Sequence, residues 1–136
     1  MGLEERKYTF EEMKKILDNM LASYNVGIRA RLAYEGYRLD ILTKDLDEVV
    51  RRQCAVHKET HDLLVNDSSD MVRCGVARNC DKKHLAILID DESPDVRIGV
   101  AYRGYGLEKL ATDEDILVRA TARDILNRMN NEVEKC

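Results

Sequence analysis

A short pattern recurs along this chain: a branched apolar residue, an arginine, and three positions later an apolar-alanine pair. It reads Ile28-Arg29 with Leu32-Ala33, Val50-Arg51 with Cys54-Ala55, Val72-Arg73 with Val76-Ala77, and Val96-Arg97 with Val100-Ala101. A truncated fifth copy begins at Val118-Arg119. The arginines are 22, 22, 24 and 22 residues apart (29 to 51, 73, 97 and 119). A fixed period in this range marks a repeat architecture, in which each unit is too small to bury its own apolar side. Whatever this chain folds into must therefore stack neighbours in chain order.

Within one unit, Leu39 and Leu42 are three apart, which places them on one face of a short helix. Asp45 and Asp47 then offer cap oxygens to a second helix, where Val50, Cys54 and Ala55 form the buried stripe. Gly36 and Gly104 follow helix ends, where the left-handed conformation costs glycine little. The second and third units depart, with Lys58 to His61 and Asn79 to His84 in place of the glycine-tyrosine turn. The spacing predicts helices at 9–22, 26–35, 38–44, 48–58, 61–65, 69–79, 83–89, 94–103, 106–111 and 115–133. It places Leu32, Leu42, Val50, Leu64, Val76, Leu88, Val100, Leu110 and Val118 in the core.

The expected fold is all-α: a short two-layer α-solenoid of about four and a half helical repeats. The 136 residues form one domain, with an amino-terminal cap at 1–22, repeats at 23–114 and a capping helix at 115–136. Thr9 and Glu12 have capping-box spacing, ahead of an apolar side formed by Phe10, Met13, Ile16, Leu17, Met20 and Leu21. Arg128, Asn130, Asn131 and Glu134 mark a polar outer side at the other end, as a finite stack requires.

No apolar run approaches the roughly 20 residues of a membrane span. The charged amino end is unlike a secretory signal, and Arg6 stands where acylation of Gly2 would want Ser or Thr. The expectation is a cytoplasmic protein with no membrane partner. Cysteines 54, 74, 80 and 136 form neither a CxxC pair nor a zinc spacing, and Cys54 sits at a core position as a small hydrophobe. The net charge is −4, with the acidic excess around Asp90, Asp91, Glu92 and Asp95. That balance argues against nucleic acid as the main partner.

Four repeat arginines lie six residues after an aspartate: Asp45 to Arg51, Asp67 to Arg73, Asp91 to Arg97 and Asp113 to Arg119, while Ser23 precedes Arg29. Here the chain resembles HEAT-like repeat proteins, whose units carry an Asp and an Arg that bond along the stack. Val72 to Asn79 with Leu85, Leu88 and Asp91 also looks like the leucine-rich-repeat variant. The glycine-tyrosine units resemble short bacterial repeats of the VRxxVAxxGYxLDxL type. The resemblance covers about residues 20–126 and implies a fold without an activity. Five arginines in line invite a phosphate-binding reading, but each is expected to be held by its aspartate or adjoining loop carbonyls. As exposed pairs they would contribute about 0–1 kcal/mol each.

Catalytic candidates are few. His57 and His61 have the four-residue spacing of a helical metal pair, yet Lys58 stands where a zincin has Glu, and the pair spans a turn. HEAT-like deoxyhypusine hydroxylases use His-Glu dipeptides, which this chain lacks. The iron–sulfur cysteines of leucine-rich-repeat-variant proteins have no counterpart in the first 53 residues. HEAT-like DNA glycosylases are longer and more basic. Cys80 and His84 are the one local thiol–imidazole pairing. No catalytic residue, metal or cofactor is assigned.

The remaining signal is surface. Tyr34 with Tyr37, and Tyr102 with Tyr105, occupy equivalent places in the first and fourth units. Tyrosine is enriched at interfaces, though Tyr37 and Tyr105 also suit packing against a neighbouring unit. With Asp90, Asp91 and Glu92 they form the expected protein-binding set. The function expected is non-enzymatic: an adaptor or steric inhibitor of a partner protein with a basic surface, as accessory or phage-borne inhibitors of nucleic-acid enzymes are. The alternatives are direct nucleic-acid or phosphate binding through the arginines, or a metal-dependent enzyme using His57 and His61. A homodimer is compatible with the sequence.

Overall fold

The computed structural model describes residues 6–135; Gly2, the first residues of the expected cap and Cys136 lie outside the described residues. Ten α-helices follow one another, and no strand occurs among the described residues. They are α1 (Phe10–Leu21), α2 (Val26–Tyr34), α3 (Leu39–Leu42), α4 (Glu48–Cys54), α5 (His61–Leu64), α6 (Asp70–Asn79), α7 (Lys82–Leu88), α8 (Pro94–Tyr102), α9 (Leu107–Leu110) and α10 (Ile116–Glu134). A 3₁₀ turn at Lys58–Thr60 precedes α5. No helix is long and apolar enough to cross a membrane among the described residues.

The arginine-bearing helices α2, α4, α6, α8 and α10 contact one another in chain order. The shorter α3, α5, α7 and α9 each pack on the arginine-bearing helix that follows. Side-chain oxygens start the helices where the sequence places them. Asn25 accepts from the Gly27 and Ile28 amides, Asp47 from Val49, and Asp115 from Leu117 and Val118. Gly36 (φ +82°) ends α2, its N–H bonding to Ala33 O while Tyr37 N–H reaches Leu32 O. Gly104 and Tyr105 close α8 in the same way, the left-handed stop that a glycine just past a helix end permits.

All nine expected core positions are at most 3% exposed. Cys54 is buried among them, and burial pushes its thiol up to about 12, as befits a packing residue.

Two expectations need correction. The helix expected over 48–58 stops at Cys54, because i→i−3 bonds from Ala55, Val56 and His57 tighten the chain. The Thr60 hydroxyl then donates to the Cys54 and His57 carbonyls and fixes the turn. The apolar side of α1 is only partly covered. Leu17, Met20 and Leu21 pack against the core, but Phe10, Met13 and Ile16 remain exposed beside Tyr8. The uncovered members lie in the first part of α1 and the covered ones toward its end.

Candidate functional site

The arginines form a ladder that makes the expected loop-carbonyl contacts but takes its carboxylates from a different unit than the six-residue spacing suggests. Each takes the backbone carbonyl, not the carboxylate, of the residue six before it. Nη1 of Arg29, Arg51, Arg73, Arg97 and Arg119 donates to the carbonyls of Ser23, Asp45, Asp67, Asp91 and Asp113 over 2.6–2.8 Å. The carboxylate comes from the following unit. Nε and Nη2 make a bidentate fork to Asp45 from Arg29, Asp67 from Arg51, Asp91 from Arg73, and Asp113 from Arg97. The same four carboxylates accept the amide two residues on, from Asp47, Ser69, Ser93 and Asp115. Each aspartate thus shapes its own turn while joining two units.

These pairs are not exposed, as the modest energy expected of them assumed. In the central rung Arg73 and Asp91 retain 9% and 8% of their side-chain surface, at 2.7 Å. The Asp67, Asp91 and Asp113 forks raise the affinity of Arg51, Arg73 and Arg97 for their protons. The Arg97 fork holds Asp113 below the usual carboxylate range. For Asp45 burial pulls upward, but Arg29 and the Asp47 amide outweigh it, and the net direction is down. Four of the five guanidinium groups therefore have all three nitrogens engaged within the chain.

The histidines are held too. Nε2 of His57 lies 2.9 Å from the carbonyls of Ala33 and Tyr34 at the end of α2, and since carbonyls only accept, that nitrogen donates. Nε2 of His61 donates to Ala55 O, where α4 has ended, over 2.7 Å. Arg103 does the same for Ala77 O in α6. These side chains finish helix ends, with donors near the negative end of the dipole. No group of three metal-ligating side chains converges among the described residues. His84 places Nε2 2.7 Å from Asp62, and its Nδ1 is buried without a partner. Burial pushes the Cys80 thiol up, away from a reactive thiolate.

Of the expected binding residues, Tyr34 and Tyr102 are 53% and 72% exposed. Tyr37 and Tyr105 are half-buried against the core, and the Tyr37 hydroxyl donates to Asp18 in α1. The Asp91 carboxylate lies inside the ladder and is 8% exposed. Asp90 pairs on the surface with Lys109 at 2.6 Å, and Glu92 is exposed 3.7 Å from Arg73. The tyrosines and the acidic turn do not share one patch. Tyr102 ends α8 whereas Asp90 to Glu92 precede its start. Tyr34 and Tyr102 are themselves three units apart, about 24–30 Å at ordinary helix spacing.

One row was missed. Ile41, Leu63 and Ile87 occupy the same register in α3, α5 and α7 and are 42%, 56% and 52% exposed. Each directly precedes a core leucine: Leu42, Leu64 or Leu88. The signal was present as the pairs Ile41-Leu42, Leu63-Leu64 and Ile87-Leu88, of which only the second members fit the core period. Ile87 lines a cleft of about 450 Å³ with Ser68, Arg73, Asp91 and Glu92, so that end of the row borders the acidic turn. No protein-family model, curated protein or solved structure matches the chain.

Proposed function

We propose that this chain is a short HEAT-like α-solenoid that acts without catalysis, by holding a partner protein on its surface. The observation that carries the reading is the row Ile41, Leu63 and Ile87, three branched aliphatic side chains exposed at one register in consecutive units. Apolar residues repeated in line mark an interaction site more often than residues exposed singly. The acidic edge at Asp90 and Glu92 gives this row a rim that favours a basic partner. The internal engagement of Arg29, Arg51, Arg73, Arg97, His57 and His61 supports the same reading, since phosphate or metal binding would have to displace bonds already made. Steric blockade of an enzyme's nucleic-acid groove is one action such a surface can perform.

A second reading places the partner on the tyrosine edge, where exposed Val56 lies between Tyr34 and Tyr102 in the equivalent position of the second unit. Affinity capture with the full chain from its native host separates the two. We expect the Ile41→Ser/Leu63→Ser/Ile87→Ser variant, and separately Asp90→Lys/Glu92→Lys, to lose the captured protein with the melting temperature nearly unchanged. Loss confined to Tyr34→Ala/Tyr102→Ala moves the site to the tyrosine edge. Retention by all three variants overturns both.

A further inference from the structure

The ladder has five arginines and four carboxylates. Arg119, in the first turns of α10, is oriented like the others: its Nη1 donates to the carbonyls of Asp113 and Glu114 at 2.7 and 3.3 Å. Arg97 makes the matching pair to Asp91 and Glu92 at 2.7 and 3.3 Å, and Arg51 to Asp45 and Leu46 at 2.8 and 3.2 Å. In each earlier unit that orientation aims Nε and Nη2 at an aspartate. At Arg119 no carboxylate and no other acceptor meets those two nitrogens among the described residues. The side chain is half-buried and held by these two carbonyls.

We infer that Arg119 is a preformed receptor for a carboxylate, and that its ligand is an aspartate at a turn of another protein, seated as Asp91 is on Arg73. The template is observed four times in the same molecule, with fork distances of 2.7–3.2 Å. Because the two carbonyls hold the guanidinium, the ordering cost of binding is small. The planar fork selects a carboxylate over a point-charge contact. The acidic neighbours Asp113, Glu114 and Asp115 do not disqualify the seat. Arg73 accepts Asp91 with Glu92 only 3.7 Å from Nη2. Exposed Ile116, three residues before Arg119 and so on the same side of α10, offers such a segment an apolar contact. A second copy of the chain is a poor match, because the equivalent position of its first unit is Ser23, which has no carboxylate. This site lies at the far end of the ladder and stands independently of the aliphatic row.

The test uses the full chain and a blocked peptide copying Leu88 to Asp95, with a control peptide in which Asp91 becomes Asn. The Nε–Hε NMR signals of the arginines report the seat directly. In the unbound protein the signals of Arg29, Arg51, Arg73 and Arg97 should group together and exchange slowly, with Arg119 apart. Millimolar affinity is the scale expected of one fork and a few contacts, so about 10 mM peptide should move Arg119 toward the group. The control peptide should give less than about a third of that shift, because its amide forms no charge-assisted fork. Arg119→Lys should abolish the peptide-induced shifts of amides 113–119. The inference is overturned if Arg119 already groups with the others, if the control peptide acts equally, or if the Lys variant responds unchanged. It is equally overturned if inorganic phosphate shifts Arg119 as far as the peptide does, or if the Arg119 signal changes with protein concentration alone, which would assign the seat to a second copy.

Discussion

Cutting the central rung should cost far more than cutting an ion pair on the surface. Arg73→Met keeps the aliphatic stem but removes two bonds to Asp91 and one to the Asp67 carbonyl, at 2.7–3.0 Å. The Asp91 carboxylate, 8% exposed, is left buried with the Ser93 amide and no countercharge. Removing one member of a buried pair typically costs about 3–5 kcal/mol. Against a total of about 7–20 kcal/mol expected for a chain of this length, that is a large fraction. The exposed pair Arg128–Asp124, also short at 2.6 Å, supplies the contrast. Arg128→Met should cost under about 1 kcal/mol. Urea denaturation followed by circular dichroism at 222 nm, with slopes compared, measures both. Arg73→Met/Asp91→Leu should cost less than the sum of its single variants by about 1–3 kcal/mol, since the two sites act on each other. If Arg73→Met matches Arg128→Met within error, the ladder does not hold the units together and the reasoning fails.

Val76 is fully buried in the middle of the stack, and Val76→Ala should lower stability by about 1–3 kcal/mol in the same assay. Asp113 and Asp45 titrate below the ordinary 3.8 when folded, so their contribution is present above that value and is lost as pH falls through the folded values. Melting temperature should therefore decline from about pH 5 downward, and Arg97→Met should flatten that decline because Asp113 loses its partner. Gly104 and Gly106 both have positive φ, but a Cβ on Gly106 would strike Cδ1 of Ile89, whereas one on Gly104 meets nothing within 4 Å. Gly104→Ala should cost about 1–2 kcal/mol from backbone strain alone. Gly106→Ala should cost about 1–3 more from overpacking, read from paired denaturation midpoints.

The helices and the core were legible because both follow from one period. Val50, Val72 and Val96 sit at the same phase, and each is wholly buried. The ladder's register was not legible. Asp45 lies six residues before Arg51 but sixteen after Arg29, and only the stacking of units brings the second arginine to its carboxylate. The exposure of the rungs was misjudged for the same reason, since burial of a charged pair depends on the neighbouring unit. His57 and His61 have the four-residue spacing of a helical metal pair, and the sequence sets a turn between them, after 58. The chain instead turns at Ala55, and each ring meets a carbonyl at a helix end. Tyr37 and Tyr34 are close in sequence yet have separate roles, because the Gly36 turn directs one inward to Asp18 and leaves the other outside.

Hydrogen exchange in the native state tests most directly whether the ladder makes α2 to α10 one body. The slowest amides of α4, α6, α8 and α10 should exchange with one shared free energy and one shared urea dependence, equal to those of global unfolding. In Arg73→Met, α2–α5 and α8–α10 should separate into two groups of unequal stability, because the cut removes the rung between them. Unequal exchange of α4 and α8 already in the unaltered protein, at free energies well below global unfolding, would contradict the account.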